Sequence, residues 1–258
     1  MEQSDLSPIL ENAGISAWRY YPAVSSTNDL AMDWALQGAP DGALVIADVQ
    51  TAGRGRDGRP WVTRAADALA VSLVLKPSAD EAGFVTRFTI LAALGLVRAL
   101  AGLGLEGQIK WPNDVLLKGR KVAGILVEAA WQEDRLMGMV VGIGVNVSPG
   151  AVPPDADLRY PATSVEDALG WPVDRWQFLA EIIQSLNQVR ANLSGDEFIR
   201  AWNAHLALRG QWVSFTQPGY DPAQMKIIGV SPDGRLILED ESGKRIAAVQ
   251  GEIGMPKG

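Results

Sequence analysis

Three arginines in six positions, Arg54, Arg56 and Arg59, are the residues of this chain best suited to chemistry. They alternate with Gly53, Gly55 and Gly58 and are followed by Pro60 and Trp61. Guanidinium groups grip carboxylates and phosphates through paired N–H donors, and intervening glycines let backbone come close to a ligand. The glycines satisfy a G-x-G-x-x-G pattern after a predicted strand, which invites a dinucleotide reading. That reading fits poorly, because a helix should begin inside the pattern and Pro60 with Trp61 interrupts it. A kinase glycine-rich loop has the same spacing, yet no HRD or DFG segment follows. Charged clusters are usually solvated surface, but glycines plus an aromatic are a costly way to build surface alone. Arginines this close repel one another, so the loop at 50–61 is expected to be mobile until an anion settles among them.

Three more segments carry polar groups in unusual settings. Lys110-Trp111-Pro112-Asn113-Asp114 offers an amide and a carboxylate at a strand edge, although taken alone it reads as a plain turn. Lys121 opens the apolar run 121–128, where it is either a solvated turn charge or a cation held over a site. Asn146 lies inside the otherwise apolar strand 142–147 and needs partners, which backbone or a ligand can supply.

Composition narrows the chemistry. The 258 residues contain no cysteine and one histidine, which removes disulfides and thiolate catalysis and argues against a histidine-rich metal site or a Ser-His-Asp triad. His205, beside Trp202, reads as a helix-packing residue, and the nine tryptophans read mostly as core with Trp61 the exception. With 47% hydrophobic and 21% charged residues, the chain is ordinary for a globular protein and long enough for a large domain plus a small one. A net charge of −7 argues against duplex nucleic acid as the main partner. The acidic start MEQSD is unlike a signal peptide. The greasiest stretch, 90–105, is interrupted by Arg98 and is expected to fall short of a membrane span. A cytoplasmic location is expected.

These groups must be positioned by regular elements. Ser25-Ser26-Thr27-Asn28-Asp29 supplies helix caps ahead of Leu30, Ala31, Trp34 and Ala35 at helical spacing, closed by Gly38 and Pro40. Strands are predicted at 43–49 and 68–75, and a long helix through Phe84, Phe88, Leu91, Ala92 and Gly95 to about residue 102. Runs at 108–111, 115–117, 122–128 and 136–147, separated by short turns, predict antiparallel hairpins. A proline-rich loop at 148–161 leads to helices near 163–169, 174–193 and 196–207. From residue 211, short strands are punctuated by Pro218-Gly219, Pro232-Asp233-Gly234 and Ser242-Gly243, consistent with a small β-barrel beyond a boundary near 209.

Taken together, the segments resemble the biotin protein ligase family. The resemblance rests on the glycine- and arginine-rich loop at 53–61, Lys-Trp-Pro-Asn-Asp at 110–114, the Lys-Val-Ala-Gly-Ile-Leu-Val-Glu strand at 121–128 and the Gly-Ile-Gly-Val-Asn strand at 142–146. Ser26-Thr27-Asn28 looks like that family's biotin-binding segment. Gly229, Gly234-Arg235-Leu236 and Gly251-Glu252-Ile253 are similar to its C-terminal SH3-like barrel. The motifs occur in order over roughly residues 24–254. About two dozen residues precede them, too few for the three-helix DNA-binding module of the family's repressors, so no DNA partner is expected. Asp57, between the arginines, lowers the local charge.

The resemblance implies an α+β fold. It consists of a class II synthetase-like catalytic domain, residues 1–209, with a mixed, largely antiparallel sheet and helices, and a small SH3-like β-barrel, residues 210–258. It also implies ATP-dependent activation of biotin as biotinyl-5'-AMP and transfer to a lysine of a biotin carboxyl carrier domain, with Mg²⁺ required and its ligands unassigned. Arg56, Lys121 and Asp114 would be catalytic. Ser26, Thr27, Asn28, Gln50, Arg54, Gly55, Arg56, Lys121 and Gly124 would bind biotin. Arg56, Arg59, Trp61, Lys110, Asn113 and Asn146 would bind the nucleotide, with Trp61 over the adenine. No membrane partner is expected, and a homodimer is left open. A lipoate-protein ligase is the nearest alternative, but a dithiolane wants an apolar pocket base, whereas Ser26, Thr27, Asn28 and Gln50 suit a ureido ring. A non-catalytic biotin-sensing regulator would not need the intact arginine and lysine set.

Overall fold

All eight residues of the segment Ala68–Leu75 are buried, and a strand with no exposed face must be covered on both sides. A computed structural model of the chain, describing residues 6–152 and 160–254, shows what covers it. Residues 153–159 of the expected proline-rich loop lie outside the described residues.

The first part of the chain runs α1 (Ser7–Asn12), β1 (Trp18–Val24), α2 (Thr27–Leu36), β2 (Ala43–Gln50), β3 (Ala68–Leu75), α3 (Phe88–Gly102), β4 (Gly107–Lys110), β5 (Asp114–Leu117), β6 (Arg120–Gln132) and β7 (Arg135–Asn146). Helices α4 (Val165–Leu169), α5 (Arg175–Arg190) and α6 (Asp196–His205) follow. The strands form one seven-stranded sheet in the order β1-β2-β3-β7-β6-β5-β4. Every neighbouring pair is antiparallel except β1 with β2, which run parallel. Sequence reading missed β1, although its Trp18, Tyr20 and Tyr21 are good strand formers. The parallel pairing is possible because α2 supplies the crossover.

Side chains alternate across the sheet. Leu69, Val71, Leu73 and Leu75 of β3, with Leu44 and Ile46 of β2 and Val141, Ile143 and Val145 of β7, join the core beneath α3 and α5. Gly95 lets these helices touch, since a Cβ there would lie 2.8 Å from the Cα of Leu186. The opposite face holds Val45, Val74, Val140 and Ala130 against Ala31 and Ala35 of α2. Beyond α2 that face is uncovered, and the cavity lies there. Helix α5 starts where Asp174 accepts from the N–H groups of Trp176 and Gln177, and α4 starts where Ser164 accepts from that of Asp167.

The apolar stretch is longer than its sequence suggested. Helical turns run from Ala82 to Gly102, 21 residues that include an 18-residue window with a mean hydropathy of 1.7, so length and composition alone would suffice to cross a membrane. Most of it is buried inside the fold, as expected of a core helix, and Arg98 faces outward at its surface.

A second, five-stranded antiparallel sheet comprises β8 (Trp212–Thr216), β9 (Ala223–Val230), β10 (Leu236–Glu239), β11 (Arg245–Ala248) and β12 (Glu252–Ile253), in the order β11-β10-β9-β8-β12. It is bound to the first sheet's helices by buried polar contacts. Arg87 donates to the carbonyls of Leu193 and Pro232 at 2.6 and 2.8 Å, with its guanidinium over the Phe84 ring. Trp111 Nε1 donates to the Gly234 carbonyl at 3.2 Å.

Candidate active site

Helix α2 begins with N–H groups that its own backbone cannot satisfy. Ser26 precedes it in extended conformation but makes no capping bond. Gln50, at the end of β2, does this instead: its Oε1 accepts from the Thr27 N–H at 2.8 Å and from the Thr27 hydroxyl at 3.1 Å. Asn28, one residue on, donates to Glu128 Oε2 at 2.7 Å and to the Leu126 carbonyl at 3.3 Å. Ser26, Thr27 and Asn28 are all buried.

These groups sit at one end of a cavity of about 940 Å³ on the α2 face. Its floor contains glycines where side chains would otherwise project: Gly142 and Gly144 of β7 and Gly124 of β6. A Cβ on Gly142 would come within 2.9 Å of Asn28 Cγ, and one on Gly144 within 2.5 Å of Trp61 Nε1. Trp61 therefore lies flat on the bare sheet, and its Nε1 is buried without a hydrogen-bond partner. Lys121 places its ammonium 5.5 Å from the centre of that ring and 2.6 Å from Asp114 Oδ1. Across the sheet, the cavity passes from Gln50 on β2 to Lys110 on β4, five strand steps of about 4.8 Å, or roughly 24 Å.

The far end is cationic. Lys110, Lys121, Arg56 and Arg59 all line it. Burial pushes the Lys110 ammonium below its usual pKa; Asp114 opposes that shift, while Lys121, Arg56 and Arg59 add to it. Tyr160 lies with its ring 5.0 Å from Lys110 Nζ, and burial, then the charge of Asp114, raises its hydroxyl pKa. Asn113 also lines the cavity, its Nδ2 donating to the Ile125 carbonyl at 2.8 Å.

The structure gathers nearly all the residues singled out from sequence around this cavity, including Arg54 and Gly55. Asn146 is the exception. It is buried at the end of β7, its Nδ2 donates to the Thr163 carbonyl at 3.1 Å, and it is not among the residues lining the cavity. The expected repulsion among the loop arginines is also corrected. Arg54 makes a two-pronged pair with Asp29 at 2.6 and 2.8 Å and lies 3.6 Å from Glu128, and the hydrogen bond to Asp29 raises its pKa. Arg56 donates to the Gly251 carbonyl at 3.0 Å, and Arg59 pairs with Glu252. Each charge is thus held by a protein acceptor.

Sequence reading missed Ser72, Glu128, Tyr160 and the second sheet's Ser214, Thr216 and Gly251. Ser72 had a signal, since it is the one polar residue in an apolar strand. The contribution of the second sheet had none.

A model of the biotin/lipoate A/B protein ligase family matches residues 20–146. A biotin–[acetyl-CoA-carboxylase] ligase of Paracoccus denitrificans is 36% identical over 233 residues, covering 86% of this chain and 93% of that protein. The chain belongs to the biotin protein ligase family. Another relative, the bifunctional ligase/repressor BirA of Bacillus spizizenii, is 32% identical over 91% of this chain and 73% of its own length. Among solved structures, the biotin protein ligase of Aquifex aeolicus in complex with biotin and ATP superimposes with a TM-score of 0.78 at 25% identity, over 93% of this chain and 99% of that one. Membership of the biotin protein ligase family accounts for a cavity with a hydrogen-bonding cradle at one end and a cluster of cations at the other.

Proposed function

We propose that this chain activates biotin with MgATP as biotinyl-5'-AMP and transfers the biotinyl group to a lysine of a biotin carboxyl carrier domain. The observation that carries this reading is the single elongated cavity, which joins the Thr27–Gln50 cradle to Lys110, Lys121 and Arg56 over a glycine floor. Its length is of the order of an acyl adenylate, in which the anionic anhydride lies between the polar ureido ring and the adenosine.

A carboxylate cannot acylate an amine directly, because oxide would have to leave. In the first step the biotin carboxylate attacks the α-phosphorus, the bond to the bridging oxygen breaks and pyrophosphate departs. Two anions meet in that step, so positioned cations supply most of the catalysis. Lys121 is the central one, held by Asp114 at 2.6 Å over the cavity floor. In the second step the acceptor amine attacks the acyl carbon, the C–O bond to AMP breaks, and the amine loses its proton. Asp114, 2.6 Å from Lys121, would orient that lysine or the incoming amine.

Mg²⁺ comes with the nucleotide. Such an ion takes most of its ligands from phosphates and water, with one or two carboxylates. Among the described residues, Asp114 and Glu252 are the carboxylates lining the cavity, and no cluster of three metal-ligating side chains occurs. Its contribution is to neutralise the triphosphate.

Pyrophosphate exchange tests the proposal. Biotin-dependent exchange followed by labelling of a carrier domain is expected; exchange with lipoate and none with biotin would refute it.

A further inference from the structure

Ser72 is fully buried in the middle of β3, on the sheet face that looks toward α2, and does not line the cavity. Its cross-strand neighbour on β7 is Gly142. Between them they make a nook that receives the Asn28 carboxamide: Gly142 leaves the room, and the Ser72 hydroxyl lies 2.6 Å from Asn28 Oδ1. The same hydroxyl is 2.8 Å from Thr27 Oγ1.

The proton count around this hydroxyl is informative. The Thr27 hydroxyl already gives its proton to Gln50, and Asn28 Oδ1 has none to give. Both neighbours offer Ser72 only lone pairs, so its single proton serves two acceptors and fixes both side chains. The Asn28 amide protons go to Glu128 and Leu126, leaving that residue no donor for a ligand. Thr27, in turn, occupies the Gln50 oxygen with two donors, which leaves the amide nitrogen as that side chain's remaining hydrogen-bonding group. Glu128 extends the chain to Arg54 of the glycine-rich loop.

We infer that Ser72, with Gly142, is a positioning residue for the cradle, setting the orientation of Thr27 and Asn28 and through them the donor face that Gln50 offers the acid substrate. This rests on the functional reading above and assigns Asn28 to the scaffold, with no direct contact to biotin. The group recognised at that end is an acceptor such as a ureido carbonyl.

The test is steady-state pyrophosphate exchange by the full chain, with KM for biotin and for MgATP measured separately. Ser72→Ala should raise the biotin KM roughly tenfold, the equivalent of one hydrogen bond lost at a buried acceptor, while the MgATP KM stays within twofold. Ser72→Cys, which keeps a weak donor, should recover part of the loss. Asn28→Ala combined with Ser72→Ala should be little worse than Asn28→Ala alone, as expected for groups acting as a unit. Gly142→Ala fills the nook from the other strand and should give the same biotin-specific signature, which keeps the test decisive should Ser72→Ala fail to fold. A biotin KM within twofold of wild type, equal losses for biotin and MgATP, or additive single and double effects would overturn the inference. Wild-type protein with no biotin-dependent exchange would overturn the functional reading and this inference with it.

Discussion

Replacing Lys121 by methionine removes one positive charge while preserving most of the side chain's length and packing. Its ammonium lies 2.6 Å from Asp114, with the two side chains 28% and 18% exposed. A unit pair near 4 Å is worth about 4 kcal/mol at the effective dielectric of a protein surface, and partial exposure and side-chain ordering reduce the net contribution to about 1 kcal/mol. Lys110 remains close enough to share the Asp114 charge, so the fold should survive with Tm lowered by roughly 2–4 °C. The transition state is different, because there the charge is aimed at developing anions from which water is excluded. Losing one such stabiliser costs on the order of 10²–10³ in rate, or about 3–4 kcal/mol. Single-turnover formation of biotinyl-AMP from labelled ATP should therefore fall by that factor. Transfer from supplied biotinyl-AMP to the carrier should fall less, because no second anion approaches in that step. Lys121→Arg should not rescue adenylation, since a planar fork cannot place its charge where a point ammonium sits. Near-normal adenylation by Lys121→Met would refute the reasoning and reduce Lys121 to a turn charge.

Gly144→Ala brings a methyl within 2.5 Å of Trp61 Nε1 and must lift the indole from the sheet; tryptophan emission should shift to the red and adenylate affinity should fall, and an unchanged spectrum would contradict the packing described. Burial holds Lys110 below its usual pKa, so its cationic form is lost as pH rises through that lowered value. The KM for MgATP should rise over the same interval, below pH 10.5, and Lys110→Arg should remove that limb of the profile. For stability the sign is opposite: between the folded and unfolded values the unfolded chain binds more protons, so the cost of burying this charge is relieved as pH rises through that window. Gly95→Ala forces a methyl to 2.8 Å from the Leu186 backbone; calorimetry should show a loss of about 1–3 kcal/mol, as for other overpacked cores, with activity per folded molecule unchanged.

Much of the fold was legible because local pattern and tertiary environment agree. The apolar run 68–75 is β3 to the residue, the run at 122–128 lies inside β6, and that at 136–147 matches β7 to within one residue at each end. The motifs around Arg56, Lys110, Asp114 and Lys121 could be read because each pairs a polar group with a turn or a glycine inside an apolar context. Asn146 marks the limit of that logic, since a buried amide needs a partner but its sequence does not say which, and the Thr163 carbonyl takes one of its protons.

By itself the sequence determined the strands and helices other than α1 and β1, and the residue types that reach the cavity, because side-chain period and capping act over a few residues. The parallel seat of β1, the nook formed by Ser72 and Gly142, and the acceptors that hold the loop arginines were decided only by the tertiary structure. Arg56 meets the Gly251 carbonyl across 195 positions of chain. No local pattern carries such a pairing, which follows from how the two sheets pack through Arg87 and Trp111.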